Sequence, residues 1–151
     1  MPNPPFRLRR YDPADETAAI DLWQRTWQEA YPDVDFAARR QWWCQRWRDD
    51  ILPISSIMVA ETDGNLIGFL TVAPDSGYLD QIVVAPESWS SGAALALLDE
   101  AKRLCPAGIT LHVNKDNARA IRFYEKHGFV IRGGDVNPNS GRPVYKMSWR
   151  P

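Results

Sequence analysis

The segment from Ile109 to Phe129 constrains the fold of this chain more than any other part of its sequence. Residues 109–113 form an apolar run with the length of a buried strand, and Asn117 opens a helical stretch that closes at Gly128. An Asn side chain can cap the start of a helix, and Gly readily adopts the left-handed conformation that ends one. The pattern therefore predicts a strand followed directly by a helix over 117–127.

The rest of the chain mixes strand and helix patterns. Apolar runs or apolar–polar alternation typical of strands occupy six further segments: 6–11, 57–61, 66–72, 78–84, 129–131 and 144–149. Helical spacing begins at Ile20, a second helix can start from a cap at Asp35, and a third carries an apolar stripe over 94–101. Asp63-Gly64 predicts a tight hairpin, because this pair supplies the positive φ that such turns require. The predicted order is β-α-α-β-β-β-α-β-α-β-β.

Charge and cysteine content exclude several classes of function. The net charge is −1, so no electrostatic attraction to nucleic acid or to an anionic membrane is expected. Cys44 and Cys105 lack the spacing of a disulfide framework or a zinc site, and the two histidines have no ligand partners at suitable spacing. No apolar run reaches the ~18 residues that a bilayer crossing needs, and residues 1–5 do not resemble a signal peptide. We expect one cytoplasmic domain over residues 1–151, without a metal site.

Two motifs in this pattern resemble those of the GNAT superfamily of acyl-CoA-dependent N-acetyltransferases. One is the strand, turn and helix at 82–98, where Trp-Ser-Ser-Gly-Ala-Ala at 89–94 stands in place of the family's Gln/Arg-x-x-Gly-x-Gly/Ala turn. The other is Asn117-x-x-Ala120, followed by Tyr124 within the helix and a closing Gly-Phe. The resemblance covers the final two thirds of the chain, and the order of the elements agrees over nearly the whole chain. It implies an α/β (α+β) fold with a mixed, mainly antiparallel twisted sheet, in which a splayed pair of parallel strands holds the cofactor.

The resemblance implies that the chain is a transferase, which uses acetyl-CoA as the acyl donor and releases coenzyme A. A helix N-terminus with about four unpaired N–H groups can bind a pyrophosphate, provided that the side chains in the preceding turn are small. The alternative interpretation of this turn is a serine-capped helix that binds nothing. The implied cofactor-binding residues lie on the strand, in the turn and on the later helix: Ile82, Val83, Val84, Trp89, Ser90, Ser91, Gly92, Ala93, Ala94, Asn117, Ala120 and Phe123. Trp89 departs from the family pattern, which predicts a weaker phosphate contact. Its ring either covers part of the cofactor or packs within the protein.

The resemblance also implies that Tyr124 protonates or hydrogen-bonds the leaving thiolate. An alkyl ammonium of pKa near ~10.4 is neutral in only about one molecule in a thousand at pH 7, so a base is expected. Asp80 is one candidate, and strand alternation predicts that it shares a face with Ile82. His112 on the next strand is the other, since an imidazole commonly titrates near ~6.5. The alternatives are substrate binding or a structural hydrogen bond for Asp80, and a buried, hydrogen-bonded imidazole for His112.

The resemblance also implies that the acceptor enters against the first two predicted helices and their loop. The predicted acceptor-binding residues are Trp27, Glu29, Tyr31 and Tyr78, of which Glu29 and Tyr78 are also weaker candidates for the base. Five of the seven Trp lie between positions 23 and 47, which predicts either an aromatic core or an aromatic pocket that favours an aromatic or cationic acceptor.

Two functions remain open from the sequence. The first is N-acetylation of a primary amine on a small molecule or peptide by direct sequential transfer, since neither Cys lies on the predicted strands of the site. The second is a non-catalytic acyl-CoA-binding or regulatory domain. A phosphate-binding NTPase is excluded, because no Gly-Lys-Ser/Thr follows the small-residue turn. The family resemblance also allows a homodimer.

Overall fold

The computed structural model describes residues 6–151, which form seven strands and four α-helices in the predicted order. The elements are β1 Arg7–Arg10, α1 Glu16–Ala30, α2 Phe36–Arg46, β2 Ser56–Thr62, β3 Asn65–Ala73, β4 Tyr78–Val84, α3 Ala93–Leu104, β5 Ile109–Asn114, α4 Ala118–Lys126, β6 Val130–Val136 and β7 Pro143–Trp149. The expectation about a signal peptide concerned residues 1–5, which lie outside the described residues. Within residues 6–151, no helix is both long and apolar enough to cross a membrane.

The strands form one sheet in the order β1-β2-β3-β4-β5-β7-β6. Every neighbouring pair is antiparallel except β4 and β5. These two parallel strands are in register only at Tyr78 and Thr110, and then they separate. The predicted mixed, mainly antiparallel sheet with a splayed parallel pair is therefore confirmed.

Local signals in the sequence account for the turn and two of the helix starts. Asp63 and Gly64 have φ values of 52° and 80° and close the β2–β3 hairpin. Asp35 Oδ1 accepts a hydrogen bond from the N–H of Ala38 at 3.1 Å at the start of α2. Asn117 Oδ1 accepts one from the N–H of Ala120 at 3.2 Å at the start of α4. These caps satisfy N–H groups that a helix cannot pair internally.

Two apolar clusters hold the helices on opposite faces of the sheet. The cluster beneath α3 and α4 includes Leu97, Leu98 and Tyr124. The cluster beneath α1 and α2 contains Trp23, Trp43 and Trp47, and the rings of Trp23 and Trp43 stack with centroids 4.6 Å apart. Most of the tryptophan enrichment therefore builds this core.

An irregularity between β3 and β4 changes which residues share a face. Thr71 pairs with Gln81 and Val72 with Leu79, so Asp80 is an extra residue on β4. Such a bulge reverses strand alternation beyond it. Ile82 consequently packs with the α3–α4 cluster, whereas Asp80 reaches Arg46 of α2 on the other face. The prediction that Asp80 and Ile82 share a face was therefore wrong.

Candidate active site

A cleft of about 540 Å³ opens where β4 and β5 diverge. Its walls come from both strands, from α1, α2 and α4, and from the β6–β7 loop at 137–142. Because β4 and β5 are in register only at Tyr78 and Thr110, the backbone groups that face each other beyond this point lack a partner strand. Such open edges can hydrogen-bond an extended ligand that contains amide groups.

The helix α4 brings a buried tyrosine to this cleft. Asn117, Ala120 and Tyr124 all line it, and only 8% of Tyr124 is exposed. The Tyr124 ring makes edge-on contacts with Phe123 and Phe129, with centroids 5.3 Å apart in each case. Burial raises the pKa of the Tyr124 hydroxyl well above its usual value. The hydroxyl therefore stays protonated at neutral pH, as a proton donor must.

The small-residue turn before α3 lies beyond the end of β4. Gly92, with φ of 88°, is the last residue before the helix. The Ser91 hydroxyl donates to the Ser88 carbonyl at 2.6 Å and accepts from the N–H of Ala93 at 3.2 Å. Other N–H groups of the first turn have no intrahelical acceptor, and Ser90 beside them is exposed. This helix start therefore offers N–H donors and a partial positive charge to an anion.

Trp89 joins this turn to both β4 and α4. Its Nε1–H donates to the Val84 carbonyl at 2.8 Å. The guanidinium carbon of Arg119 lies 3.5 Å from the centroid of the Trp89 ring, which is a close cation–π stack. Burial lowers the pKa of Arg119, but a guanidinium stays charged in proteins. Trp89 is thus fixed to β4, stays 38% exposed, and holds a cation beside the turn.

Tyr78 and His112 meet on the face of the sheet that α1 and α2 cover. Tyr78 Oη lies 2.9 Å from His112 Nδ1. Burial, assisted by the charge of Asp80 and opposed by that of Arg46, raises the pKa of Tyr78 to about 12, so the phenol stays neutral. If Nδ1–H donates to this oxygen, Nε2 is left free to accept a proton. His112 is exposed and lines the cleft, so the alternative of a buried imidazole was wrong.

Asp80 is held by an arginine. Its Oδ1 accepts from Arg46 Nη2 at 3.0 Å, and its Oδ2 lies 2.7 Å from Arg46 Nη1. Burial lowers the pKa of Arg46, but the hydrogen bond and charge of Asp80 outweigh it, so the net shift is upward. Both carboxylate oxygens of Asp80 thus lie against the guanidinium. The structural hydrogen bond anticipated for Asp80 is therefore present.

Tyr31 links three segments at the rim of the cleft. Its hydroxyl donates to Asp116 Oδ1 at 2.8 Å and accepts from Asn114 Nδ2 at 3.0 Å. Arg142 from the β6–β7 loop lies 4.7 Å from the Tyr31 ring centroid and 3.3 Å from Asp116. The end of α1 is thereby tied to the end of β5 and to the β6–β7 loop.

Comparison with known proteins identifies the family. Residues 17–129 match the model of the acetyltransferase (GNAT) family, which is about three quarters of the chain. The chain belongs to the GNAT family. It is an acetyltransferase of this type, as its two motifs predicted.

Relatives and solved structures agree with this assignment. This GNAT chain is 28% identical over 139 residues to the peptidyl-lysine N-acetyltransferase YjaB of Salmonella typhimurium, which covers 91% of the chain and 92% of the relative. It is 26% identical over 151 residues to the peptidyl-lysine N-acetyltransferase YiaC of Escherichia coli, which covers 94% and 95%. The PaiA N-acetyltransferase of Thermoplasma acidophilum, crystallised in complex with coenzyme A, superimposes with a TM-score of 0.79 at 18% identity. It covers 97% of this chain and 99% of that structure and supports the fold.

The cleft of this GNAT chain collects many of the predicted site residues and leaves others outside. Those that line it are Trp27, Tyr31, Tyr78, Asp80, Ile82, His112, Asn117, Ala120 and Tyr124. Glu29 is exposed on α1 and does not line the cleft. Val83 and Val84 bury their side chains, and Phe123 packs against the core and His127.

Sequence reasoning assigned no role to several cleft or turn residues: Arg39, Arg46, Asn114, Arg119 and Arg142. One face of α2 carries, at helical spacing, Phe36, Arg39, Trp43 and Arg46. This spacing could have predicted that Arg39 and Arg46 lie on the same side of α2 as the aromatic residues. Arg119 lies inside the Asn-x-x-Ala motif, but its neighbour Trp89 comes from a distant part of the chain.

Proposed function

We propose that this chain transfers an acetyl group from acetyl-CoA to a primary amine of a small molecule or peptide, by direct sequential transfer. One observation carries the proposal. The gap between β4 and β5 has the protonated Tyr124 hydroxyl on the α4 side and the exposed His112–Tyr78 pair on the α1–α2 side. A proton donor and a proton acceptor therefore line one cleft. The lysine-acetylating relatives support a primary amine as acceptor, because a lysine side chain ends in one.

The residues present fit coenzyme A as the carrier of the acyl group. The open edges of β4 and β5 suit the amide-containing pantetheine arm, and Asn117 and Ala120 line the same cleft. The exposed turn before α3 suits the pyrophosphate. Arg119 on Trp89 supplies a positive charge beside the turn, where the family pattern has Gln or Arg at position 89. Bound there, acetyl-CoA would supply an acetyl group activated as a thioester.

His112 is the proposed base and Tyr124 the proposed acid. His112 Nε2 accepts a proton from the acceptor ammonium, while the neutral Tyr78 hydroxyl fixes the imidazole through Nδ1. With acetyl-CoA bound, the Tyr124 hydroxyl would donate a hydrogen bond to the departing sulfur and stabilise the thiolate until a proton reaches it to give the thiol, which has a pKa near ~8.5. Asp80 holds Arg46 against β4 and has a positioning role.

Turnover with a panel of amines tests this function. Purified protein is incubated with acetyl-CoA and each amine, and free thiol and acetylated product are measured together. Tyr124→Phe removes only the hydroxyl, so we expect CoA binding to persist and kcat to fall by about 100-fold or more. Tyr145→Phe is the matched control outside the cleft, where the ring contacts Lys115. Binding of acetyl-CoA with no turnover of any amine would instead favour the non-catalytic alternative.

Three further expectations from the sequence stay predictions: a single domain over residues 1–151, a cytoplasmic location and a homodimer.

A further inference from the structure

The cleft has an excess of positive charge among its described residues. Three guanidinium groups line it, from Arg39, Arg46 and Arg142, but only one carboxylate, from Asp80. The aromatic wall formed by Trp27 and Trp42 adds no charge. An acceptor that enters here therefore meets cations and apolar rings rather than acidic side chains.

Two of the three arginines are paired with acids. Arg46 is bound to Asp80, with their closest atoms 2.7 Å apart. Arg142 contacts Asp116 at 3.3 Å. Arg39 has no acidic partner within residues 6–151, and its guanidinium carbon lies 5.5 Å from the centroid of the Phe36 ring. Arg39 thus presents an uncompensated charge to the cleft.

Helix geometry places this charge at a defined distance from the proposed chemistry. Arg39 and Arg46 lie on the same face of α2, seven residues apart, which corresponds to about 10 Å along the axis. Arg46 is bonded to Asp80 at the bulge of β4, beside the point where the strands diverge. A group bound by Arg39 is therefore well separated from an amine that reacts near His112.

We propose that the acceptor amine carries a carboxylate and that Arg39 binds it. This inference rests on the proposed function, because it names the class of substrate for the same cleft. The planar guanidinium matches a carboxylate with two parallel hydrogen bonds. A second cation on the acceptor, as in a diamine, is repelled by the lining charges and finds no unpaired acid among the cleft residues described. The carboxylate can belong to a free amino acid or to an acidic residue near lysine in a peptide.

The test uses acceptors that differ only in the carboxylate. The free pairs are 6-aminohexanoate with hexylamine, and lysine with 1,5-diaminopentane. The peptide pair is a capped Lys-Glu with a capped Lys-Gln. In the free pairs, the peptide pair or both, we expect kcat/KM to be about tenfold higher for the acceptor with the carboxylate. The pairs that show this difference tell whether the carboxylate belongs to a free amino acid or to an acidic residue of a peptide. Arg39→Gln should abolish this preference by raising KM for the carboxylate acceptors alone, with kcat unchanged. Arg39→Glu should favour the diamine.

Arg10→Gln is the control, since Arg10 is exposed on β1 and outside the cleft. Equal or faster acetylation of amines that lack a carboxylate would overturn the inference and leave the proposed function intact. Binding followed through tryptophan fluorescence keeps the test independent of turnover, because Trp27 and Trp42 line the cleft. If no amine is acetylated but 6-aminohexanoate binds in an Arg39-dependent manner, the proposed function fails and only the carboxylate site at Arg39 is retained. Binding that is indifferent to Arg39 overturns the inference.

Discussion

Asp80→Asn separates a positioning role for Asp80 from a role as the base. The substitution keeps the size of the side chain and removes its charge. Arg46 then loses a carboxylate whose oxygens lie 2.7 and 3.0 Å from its nitrogens. Only 23% of the Arg46 side chain and 17% of the Asp80 side chain are exposed, so solvent replaces this interaction poorly.

The expected loss of stability follows from this geometry. Hydrogen bonds to charged groups contribute about 1.5–3 kcal/mol, and the remaining exposure of both groups screens the charge part of this one. The Asn oxygen still accepts one N–H from the guanidinium. We therefore expect the free energy of unfolding to fall by about 1–2 kcal/mol, which lowers Tm by roughly 3–6 °C in a domain of this size.

Urea unfolding followed by tryptophan fluorescence measures this change. Glu100→Gln is the matched control, because it removes the charge of a more exposed ion pair, in which Arg103 is 63% exposed. Exposed ion pairs contribute at most about 1 kcal/mol to stability. We therefore expect Glu100→Gln to lower the free energy of unfolding by less than about 0.5 kcal/mol.

The kinetic result decides between the two roles. With His112 as the base, Asp80→Asn should lower kcat/KM less than about tenfold. His112→Gln should lower kcat/KM by about 100-fold or more. The reasoning is refuted if Asp80→Asn causes the larger loss of kcat/KM.

Two further predictions concern the cofactor turn and the buried tyrosines. In calorimetric titrations, Arg119→Gln should weaken the binding of coenzyme A about three- to tenfold and leave the binding of pantetheine, which lacks the phosphates, unchanged. Arg122→Gln, on the exposed face of α4, should change the affinity for neither ligand. An equal loss for both ligands would contradict a phosphate contact. Above about pH 10 the free energy of unfolding should fall as pH rises. The unfolded chain releases its tyrosine protons near ~10. In the folded chain Tyr78 holds its proton to about 12, and buried Tyr124 also resists ionisation. Tyr124→Phe should reduce this slope by up to about 1.4 kcal/mol per pH unit, and an unchanged slope in denaturant titrations would count against the burial argument.

Much of the fold was predictable because its signals are local. The Asp63-Gly64 hairpin and the caps at Asp35 and Asn117 depend on residues a few positions apart, and each was confirmed. Their turn and cap preferences come from the side chain and its own backbone. The order of the elements follows from the same local patterns, and the two motifs named the family.

The candidate site was less predictable, because small changes of register decide which side chains meet. One extra residue at Asp80 reversed the alternation of β4 and placed its carboxylate on Arg46 instead of on the face of Ile82. Glu29 is an acid near the expected acceptor region, but it lies on the outer side of α1. Neither position can be derived from spacing alone.

The sequence by itself determined the family, the order of elements and the face of α4 that carries Asn117, Ala120 and Tyr124. Only the tertiary structure decided the charge of the cleft. It paired Arg46 with Asp80 and Arg142 with Asp116, left Arg39 without an acid among the described residues, and stacked Arg119 on Trp89. The physical reason is that an ion pair or a stack needs atoms within a few ångströms, and partners 26 to 34 residues apart reach that distance only through the packing of the helices on the sheet.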